Sequence, residues 1–258
     1  MFDFANVLFA GSCNRACPFC IGKQVPEPAN LPNLEVFPPR GLDAFVRAVN
    51  THQIPEVVFT GTTSDPQLYR FEGELLELLR GRLHSGARFS VHTNGARTLK
   101  RLGVFNAYDR ACLSLPTLNP AIYRKMMGSA EVPDLERILA AAKIPVKVSA
   151  VVNEHNAHDI HAFMDQCAAL GVRRFVVRRL FGDRRRWSIL PGETPLRFHR
   201  GNPVYLVRGM EVTHWDFAQA SSRSINLFAD GTLGTEYLLT ETRALRRGDA
   251  TAPPARAP

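Results

Sequence analysis

Short apolar runs alternate with segments of helical spacing over most of this chain. The apolar runs are ANVLFA (5–10), EVVFTG (56–61), RFSVHTNG (88–95), RACLSLP (110–116), IPVKVSAVVN (144–153) and VRRFVVRRL (172–180). The intervening segments that predict helices are 41–52, 67–83, 96–103, 132–143 and 157–171. Six strands separated by helices predict an α/β fold with a parallel sheet and right-handed crossovers. Because the strands are nearly continuous in apolar residues, we expect both sheet faces to be buried.

The chain changes character after residue 181. YLVRGMEVTHWDF (205–217) predicts a closing strand, and SINLFADGTLGTEYLL (224–239) predicts a hairpin that turns at Asp230-Gly231. We therefore divide the chain into the strand–helix series (1–181), a C-terminal cap that completes it (182–242) and a disordered tail (243–258).

The overall composition is that of an ordinary globular protein. The chain has 258 residues, 45% of them hydrophobic, and a chain of this size needs neither a disulfide nor a metal to hold its core. No stretch is apolar enough to span a bilayer, so we expect a cytoplasmic protein with reduced thiols. The net charge of +8, with only five lysines among 32 basic residues, reflects either a solvated surface or an anionic partner.

Three of the five cysteines lie within GSCNRACPFC (11–20). Cys13, Cys17 and Cys20 are too many for a redox pair and one too few for a closed zinc site. Three thiolates on a four-iron cluster would leave one iron open for chemistry. The spacing alone favours an open iron–sulfur cluster and leaves zinc and chance as alternatives. Cys112 and Cys167 fit better as small core residues.

The segment CNRACPFC resembles the C-x3-C-x2-C signature of the radical S-adenosylmethionine (SAM) superfamily, including the aromatic Phe19 before the last cysteine. The resemblance covers residues 5 to about 181 and is nearest to molybdenum-cofactor, heme-d1 and peptide-maturation enzymes. It implies a partial (β/α)6, TIM-like barrel and a 4Fe-4S cluster on Cys13, Cys17 and Cys20, with SAM on the open iron. Because no cysteine follows Cys167, we expect no auxiliary cluster.

The resemblance also implies SAM contacts where the strands end. FTGTTSDP (59–66) stands where the superfamily usually has Gly-Gly-Glu-Pro, and hydroxyls and a carboxylate there can accept from the SAM amine. The same segment would serve equally as a helix cap. The residues assigned to cofactor binding are Phe19, Gly61, Thr62, Thr63, Asp65, Asn94, Ser114, Asn153, Arg178 and Arg179.

Several of these assignments have a structural alternative. Asn94 precedes a glycine in a good turn, and Asn153 could cap the next helix. Arg178 and Arg179 point to opposite faces of their strand, so one should enter the barrel and require an anion there.

For substrate chemistry we single out Cys112, His214 and Asp216. A cysteine can donate hydrogen in an epimerisation, and Cys112 is the one nearest the predicted rim. His214 and Asp216 flank Trp215 where the resemblance implies substrate-facing elements, and Tyr237 is a weaker candidate.

The sequence thus predicts a radical SAM enzyme that acts on a small, anionic molecule, with an electron donor such as flavodoxin or ferredoxin. One alternative keeps the chemistry but modifies or activates a peptide or protein, as a peptide maturase or a glycyl-radical activase does. Another is a zinc-binding or nucleic-acid-binding module without catalysis, although no RNA-binding motif supports the latter.

Overall fold

A single open sheet of eleven strands organises residues 1–25, 27–183 and 185–235, which the computed structural model describes. The strand order is β11-β10-β1-β2-β3-β4-β5-β6-β9-β8-β7. The bounds are β1 Phe4–Phe9, β2 Glu56–Gly61, β3 Arg88–Thr93, β4 Arg110–Ser114, β5 Val146–Val152, β6 Arg174–Arg179, β7 Arg197–His199, β8 Asn202–Val207, β9 Met210–Trp215, β10 Ser224–Leu227 and β11 Leu233–Gly234. The first six strands are parallel in chain order, as the sequence predicts.

Helices connect the parallel strands. They are α1 Leu42–Thr51, α2 Glu72–Arg82, α3 Leu102–Phe105, α4 Pro120–Met127, α5 Leu135–Ala141 and α6 Ile160–Ala169. Helix α2 begins five residues later than its pattern predicts, because Asp65 caps a separate 3₁₀ turn, Pro66–Leu68. Helix α4 is not among the predicted helices, although Asn119-Pro120 is a strong start signal and the Asn119 side chain accepts from the Ala121 and Ile122 N–H groups. No helix in the described ranges is long and apolar enough to cross a bilayer.

The outer face of the sheet carries the hydrophobic core. Phe9, Phe59, Tyr69 and Tyr108 are buried there, with ring centroids 4.9 to 5.7 Å apart along the cluster. The opposite face is different, because alternate residues of the same strands are polar and line a cavity of about 440 Å³. Many residues of this inner face are nevertheless buried, among them Leu8, Val58 and Ser149, so the face is covered as expected but is not apolar. The physical reason is that side chains alternate across a strand, so scattered polar residues can collect on one side.

The C-terminal strands extend both edges of the sheet. β9 lies parallel beside β6, and β10 lies parallel beside β1. The predicted single strand at 205–217 is a hairpin of β8 and β9, which turns at Arg208 and Gly209, both with positive φ. The hairpin at Asp230-Gly231 is confirmed. Three predictions fall outside the described residues: the tail (243–258), the end of the cap (236–242) and Tyr237.

Candidate active site

The loop that holds the three cysteines follows β1 and is fastened to the end of β2. The Gly11 N–H donates to Thr63 Oγ1 (3.0 Å), and Ser64 Oγ donates to the Ser12 carbonyl (2.8 Å). Cys20 Sγ lies 3.3 Å from the Thr62 carbonyl oxygen. In the structure, the side chains of Thr63 and Ser64 thus position the cysteine loop, while Thr62 and Thr63 stay predicted SAM contacts.

Helix α4 supports the same loop from the other side. The Ala16 N–H donates to the Met127 carbonyl (2.9 Å), and Cys17 Sγ lies 3.5 Å from Met127 Sδ. Arg15 Nε donates to the Tyr123 hydroxyl (3.1 Å). An α-helix that the sequence did not predict therefore shapes the surroundings of the central cysteine.

The three thiols lie close enough to influence one another's ionisation. Burial, followed by the charges of Cys20 and Cys13, raises the pKa of Cys17 to about 12. Burial also raises the pKa of Cys13, although this residue is exposed at the surface. No three His, Cys, Asp or Glu side chains among the described residues surround a single-ion position. A 4Fe-4S cluster binds each thiolate through a different iron, so clustered but separate thiols suit its ligand set.

Asp65 is a buried junction between the ends of β2 and β3. Its carboxylate accepts from the Gln67 N–H (2.9 Å), from Thr93 Oγ1 (2.9 and 3.0 Å) and from the Asn94 N–H (2.7 Å). Burial raises its pKa, and these hydrogen bonds oppose the change. Asp65 does not line the cavity, so its predicted contact with SAM has to compete with these partners.

The two predicted asparagines also hold turns. Asn94 Nδ2 donates to Asn14 Oδ1 (2.8 Å), which links the end of β3 to the cysteine loop. Asn153 Oδ1 accepts from the His155 N–H (2.9 Å) in the turn after β5. Neither asparagine lines the cavity. The sequence placed both side chains correctly at strand ends, and their role towards SAM stays a prediction.

Phe19, Gly61, Ser114, Arg178 and Arg179 are the predicted cofactor-binding residues that line the cavity. Arg178 Nε donates to Ser149 Oγ (2.8 Å) on the neighbouring strand. Ser114 is exposed to the cavity at the end of β4. Of these residues, Phe19, Ser114 and Arg178 present side chains to the cavity without a carboxylate partner among the described residues.

Arg179 is engaged with Asp216. Its Nη1 lies 2.9 Å from Asp216 Oδ2, and its Nη2 donates to the Asp183 carbonyl (3.0 Å). Burial opposes ionisation of Asp216, but hydrogen bonds from the Ala218 N–H and Arg179 hold its pKa below the usual value. Asp216 is therefore an ionised structural partner as well as a predicted catalytic residue.

His214 and Cys112 do not line the cavity. His214 lies between Thr213 and Trp215, which do line it, so its side chain points to the opposite face. Burial lowers its pKa. Cys112 is buried between His92 and Lys147 on adjacent strands. Both catalytic roles stay predictions. His214 faces away from the cavity, whereas Cys112 is buried on the cavity side of β4.

The sequence reasoning missed the deeper part of the cavity. The lining residues there that the sequence did not single out include Glu56, Lys147, Ser149, Arg174, Glu211 and Thr213. The signal was present in the strands: polar residues stand at positions 147 and 149 of β5 and at 174 and 178 of β6. Spacings of two and four place such residues on one face of a strand.

Comparisons with known proteins identify this architecture. The model of the radical SAM superfamily matches residues 7–167. A probable GTP 3′,8-cyclase of Methanococcus aeolicus is 26% identical over 170 residues, which cover 62% of this chain and 54% of that protein. The chain thus spans about half the length of this curated relative.

Solved structures share the fold. Streptococcus suis SuiB bound to its precursor peptide SuiA has a TM-score of 0.50 and 19% identity, over 69% of this chain and 40% of SuiB. SuiB bound to SAM has a TM-score of 0.50 and 16% identity, over 70% of this chain and 39% of SuiB. With the family match over 7–167 and three cysteines at the end of β1, this chain belongs to the radical SAM superfamily, a family of enzymes whose cofactors are a 4Fe-4S cluster and SAM.

Proposed function

We propose that Cys13, Cys17 and Cys20 hold the 4Fe-4S cluster and that the protein acts on a small, anionic molecule bound in the cavity below them. When bound and reduced, the cluster would supply the electron that cleaves SAM to methionine and a 5′-deoxyadenosyl radical, which takes a hydrogen atom from the substrate. The observation that carries the proposal is the cavity itself, which runs from Cys17 and Cys20 to a cationic interior.

The residues around the cavity have distinct tasks in this proposal. The backbone of Gly61 to Thr63 and the Ser114 hydroxyl offer acceptors to the SAM amine and ribose. Arg178 offers a guanidinium to the SAM carboxylate, since it faces the cavity and pairs with no carboxylate among the described residues. Phe19 and Ile21 line the cavity next to Cys20 and add apolar surface there.

Size and charge favour a small anion over a peptide. A cavity of about 440 Å³ falls in the range of small-molecule sites, roughly 300–1,000 Å³. The name of the M. aeolicus relative contains GTP, itself a polyanion. Peptide modification is the second candidate function, because SuiB, which has a similar fold, binds a precursor peptide. A small redox protein such as flavodoxin or ferredoxin would supply the electron.

The test is SAM cleavage by anaerobically purified and reconstituted protein. We expect dithionite-reduced protein to form 5′-deoxyadenosine from SAM, as measured by mass spectrometry. A Cys13/Cys17/Cys20→Ala triple variant should form none, because it lacks the thiolates that hold iron. Cys167→Ala is the matched control and should keep both iron and activity, because Cys167 is buried in helix α6 away from the loop. Stoichiometric zinc without iron or sulfide would contradict the proposal.

A further inference from the structure

A row of ionisable side chains crosses the lower part of the cavity on neighbouring strands. His92 pairs with Cys112, and Cys112 pairs with Lys147. Val148 pairs with Phe175, which puts Lys147 beside Arg174, and Arg174 pairs with Glu211. We call these five residues the floor row. All but Cys112 line the cavity.

The acidic groups near the floor row already have partners. Glu211 Oε2 accepts from Arg197 Nη2 (3.0 Å) and lies 3.9 Å from Arg174 Nε. Glu56 accepts from Arg110 Nε (2.9 Å) and Ser90 Oγ (2.9 Å). These carboxylates are therefore balanced by other side chains.

Lys147, in contrast, is not paired with a side chain of opposite charge among the described residues. It makes no hydrogen bond and no ion pair with any residue that the structure describes, although its side chain faces the cavity. Arg178 stands above it on β6 and donates to the neutral Ser149 hydroxyl. Two cationic side chains thus face the same space, and neither pairs with a carboxylate in the described part of the chain.

The charges around Lys147 shift the pKa values of this residue and of its neighbour His92. Burial, then the charges of Lys147, Arg178 and Arg110, lowers the pKa of His92 well below its usual value. Burial lowers the pKa of Lys147, as do Arg178 and Arg174, while Cys112 and Glu56 act in the opposite direction. A cation held among cations in a partly desolvated space is stabilised by an anion from outside the protein.

From this geometry we infer that Lys147 anchors an oxyanion group of the substrate, a carboxylate or a phosphate, at the floor row. The inference rests on the proposed function and adds the substrate's orientation to it. The oxyanion would lie at Lys147, and the rest of the molecule would extend towards the cysteine loop.

The rise per residue of a β-strand sets the distance between the floor row and the level of Arg178. Residues 147 to 151 of β5 cover four steps of about 3.3 Å each, or about 13 Å, from the floor row to the level of Arg178. Between these levels, a second row of paired residues crosses β4, β5, β6 and β9. It consists of Ser114, Ser149, Val176 and Thr213, each paired with the next. Their hydroxyls would contact the middle of the substrate, so Lys147 would determine which carbon reaches the radical.

The test is anion binding by reconstituted protein, which requires no turnover. Sodium phosphate and sodium acetate are titrated separately against chloride at constant ionic strength, and the dissociation constant is taken from the shift in melting temperature and from calorimetry. We expect saturable binding of at least one anion. Lys147→Met should weaken that binding about tenfold or more, and Lys147→Arg should keep it within about threefold.

Lys143→Met is the matched control, because Lys143 is exposed before β5, and it should bind the anion as the wild type does. Lys147→Met should remain folded, since it removes a cation that its surroundings disfavour, and Lys147→Gln provides a second neutral variant. The stronger of the two anions assigns the oxyanion class. Equal dissociation constants for wild type and both neutral variants, or no saturable binding by the wild type, would overturn the inference. Either result would leave SAM cleavage by the same protein unaffected, so the two proposals fail separately.

Discussion

At the scale of single residues, two adjacent arginines on β6 differ in their hydrogen-bond and ion-pair partners. Arg178 faces the cavity and bonds to Ser149, whereas Arg179 pairs with Asp216 at 2.9 Å. Both arginines line the cavity, and the difference lies in their partners, a neutral hydroxyl for Arg178 and a carboxylate for Arg179. It separates a group that is free to bind a ligand from one that links β6 to the chain after β9.

This difference predicts two distinct phenotypes. Arg178→Met should weaken SAM binding about tenfold, because a charge-assisted contact to a carboxylate is lost, and should leave the melting temperature nearly unchanged. Arg179→Met should mainly lower stability, because Asp216 loses its partner. Equilibrium dialysis with reconstituted protein measures the first effect and thermal unfolding the second. Equal SAM affinity in wild type and Arg178→Met would remove Arg178 from the SAM site.

Asp65 offers a second prediction at this scale. Asp65→Asn should lower the free energy of unfolding by about 2–3 kcal/mol, because a buried acceptor of backbone and side-chain donors loses one oxygen. Asp134→Asn is the matched control, since Asp134 also caps a helix start but is half-exposed. It should cost less than about 1 kcal/mol. Urea unfolding of the cluster-free proteins compares the two, and a similar cost for both would contradict the junction role.

At the scale of elements, the cysteine loop and the segment after β2 form one tightly packed unit. A Cβ atom at Gly61 would lie 1.6 Å from the Ser64 carbonyl oxygen, and one at Gly22 would lie 2.1 Å from that of Thr62. Both obstacles are backbone atoms, which cannot move aside as a flexible side chain can. The loop therefore keeps its shape only while both positions remain glycine.

Gly61→Ala should consequently disturb the loop. We expect a loss of at least about 3 kcal/mol of stability and a lower iron content after reconstitution, because the backbone must shift. Gly81→Ala in helix α2 should instead stabilise the protein by about 0.5–1 kcal/mol, since a Cβ atom there would meet nothing within 4 Å and alanine favours a helix. Urea unfolding and iron analysis test both variants. Normal iron content in Gly61→Ala would show that the loop tolerates the shift.

At the scale of the whole molecule, the main core lies apart from two of the three thiols, although Cys17 packs against that core. The main core lies on the outer face of the sheet around Phe9, Phe59 and Tyr69, whereas Cys13 and Cys20 lie outside the buried core at the end of β1. The energy that holds the sheet therefore comes chiefly from apolar burial between strands and helices.

Removal of the thiols should accordingly leave the fold intact. In the absence of iron, the Cys13/Cys17/Cys20→Ala variant should unfold within about 2 kcal/mol of the wild type, because the substituted side chains are partly exposed. Reconstitution with iron and sulfide should stabilise the wild type alone, since only the wild type keeps the three thiols that we propose as cluster ligands. Circular dichroism and thermal melting provide both values. Loss of the far-ultraviolet signal in the variant would show that the cysteine loop is part of the folding core.

The sequence by itself determined that six strands alternate with helices and run parallel, and it located the three cysteines after the first strand. Apolar runs and local spacing carry both features, because each depends on neighbours in the chain. It also placed Asn94, Ser114, Asn153 and Arg178 at strand ends. The same reasoning did not find helix α4, despite the start signal at Asn119-Pro120.

Only the tertiary structure decided what those strand ends do and what lies beneath them. Asp65 meets Thr93 and Asn94 because two parallel strands end side by side, and the sequence does not state that distance. Lys147 faces the cavity opposite the helices because register fixes the face of each side chain. The charge balance of the floor row depends on contacts between strands that are distant in sequence. The sequence therefore shows which charged residues are present but not which of them have a counter-ion.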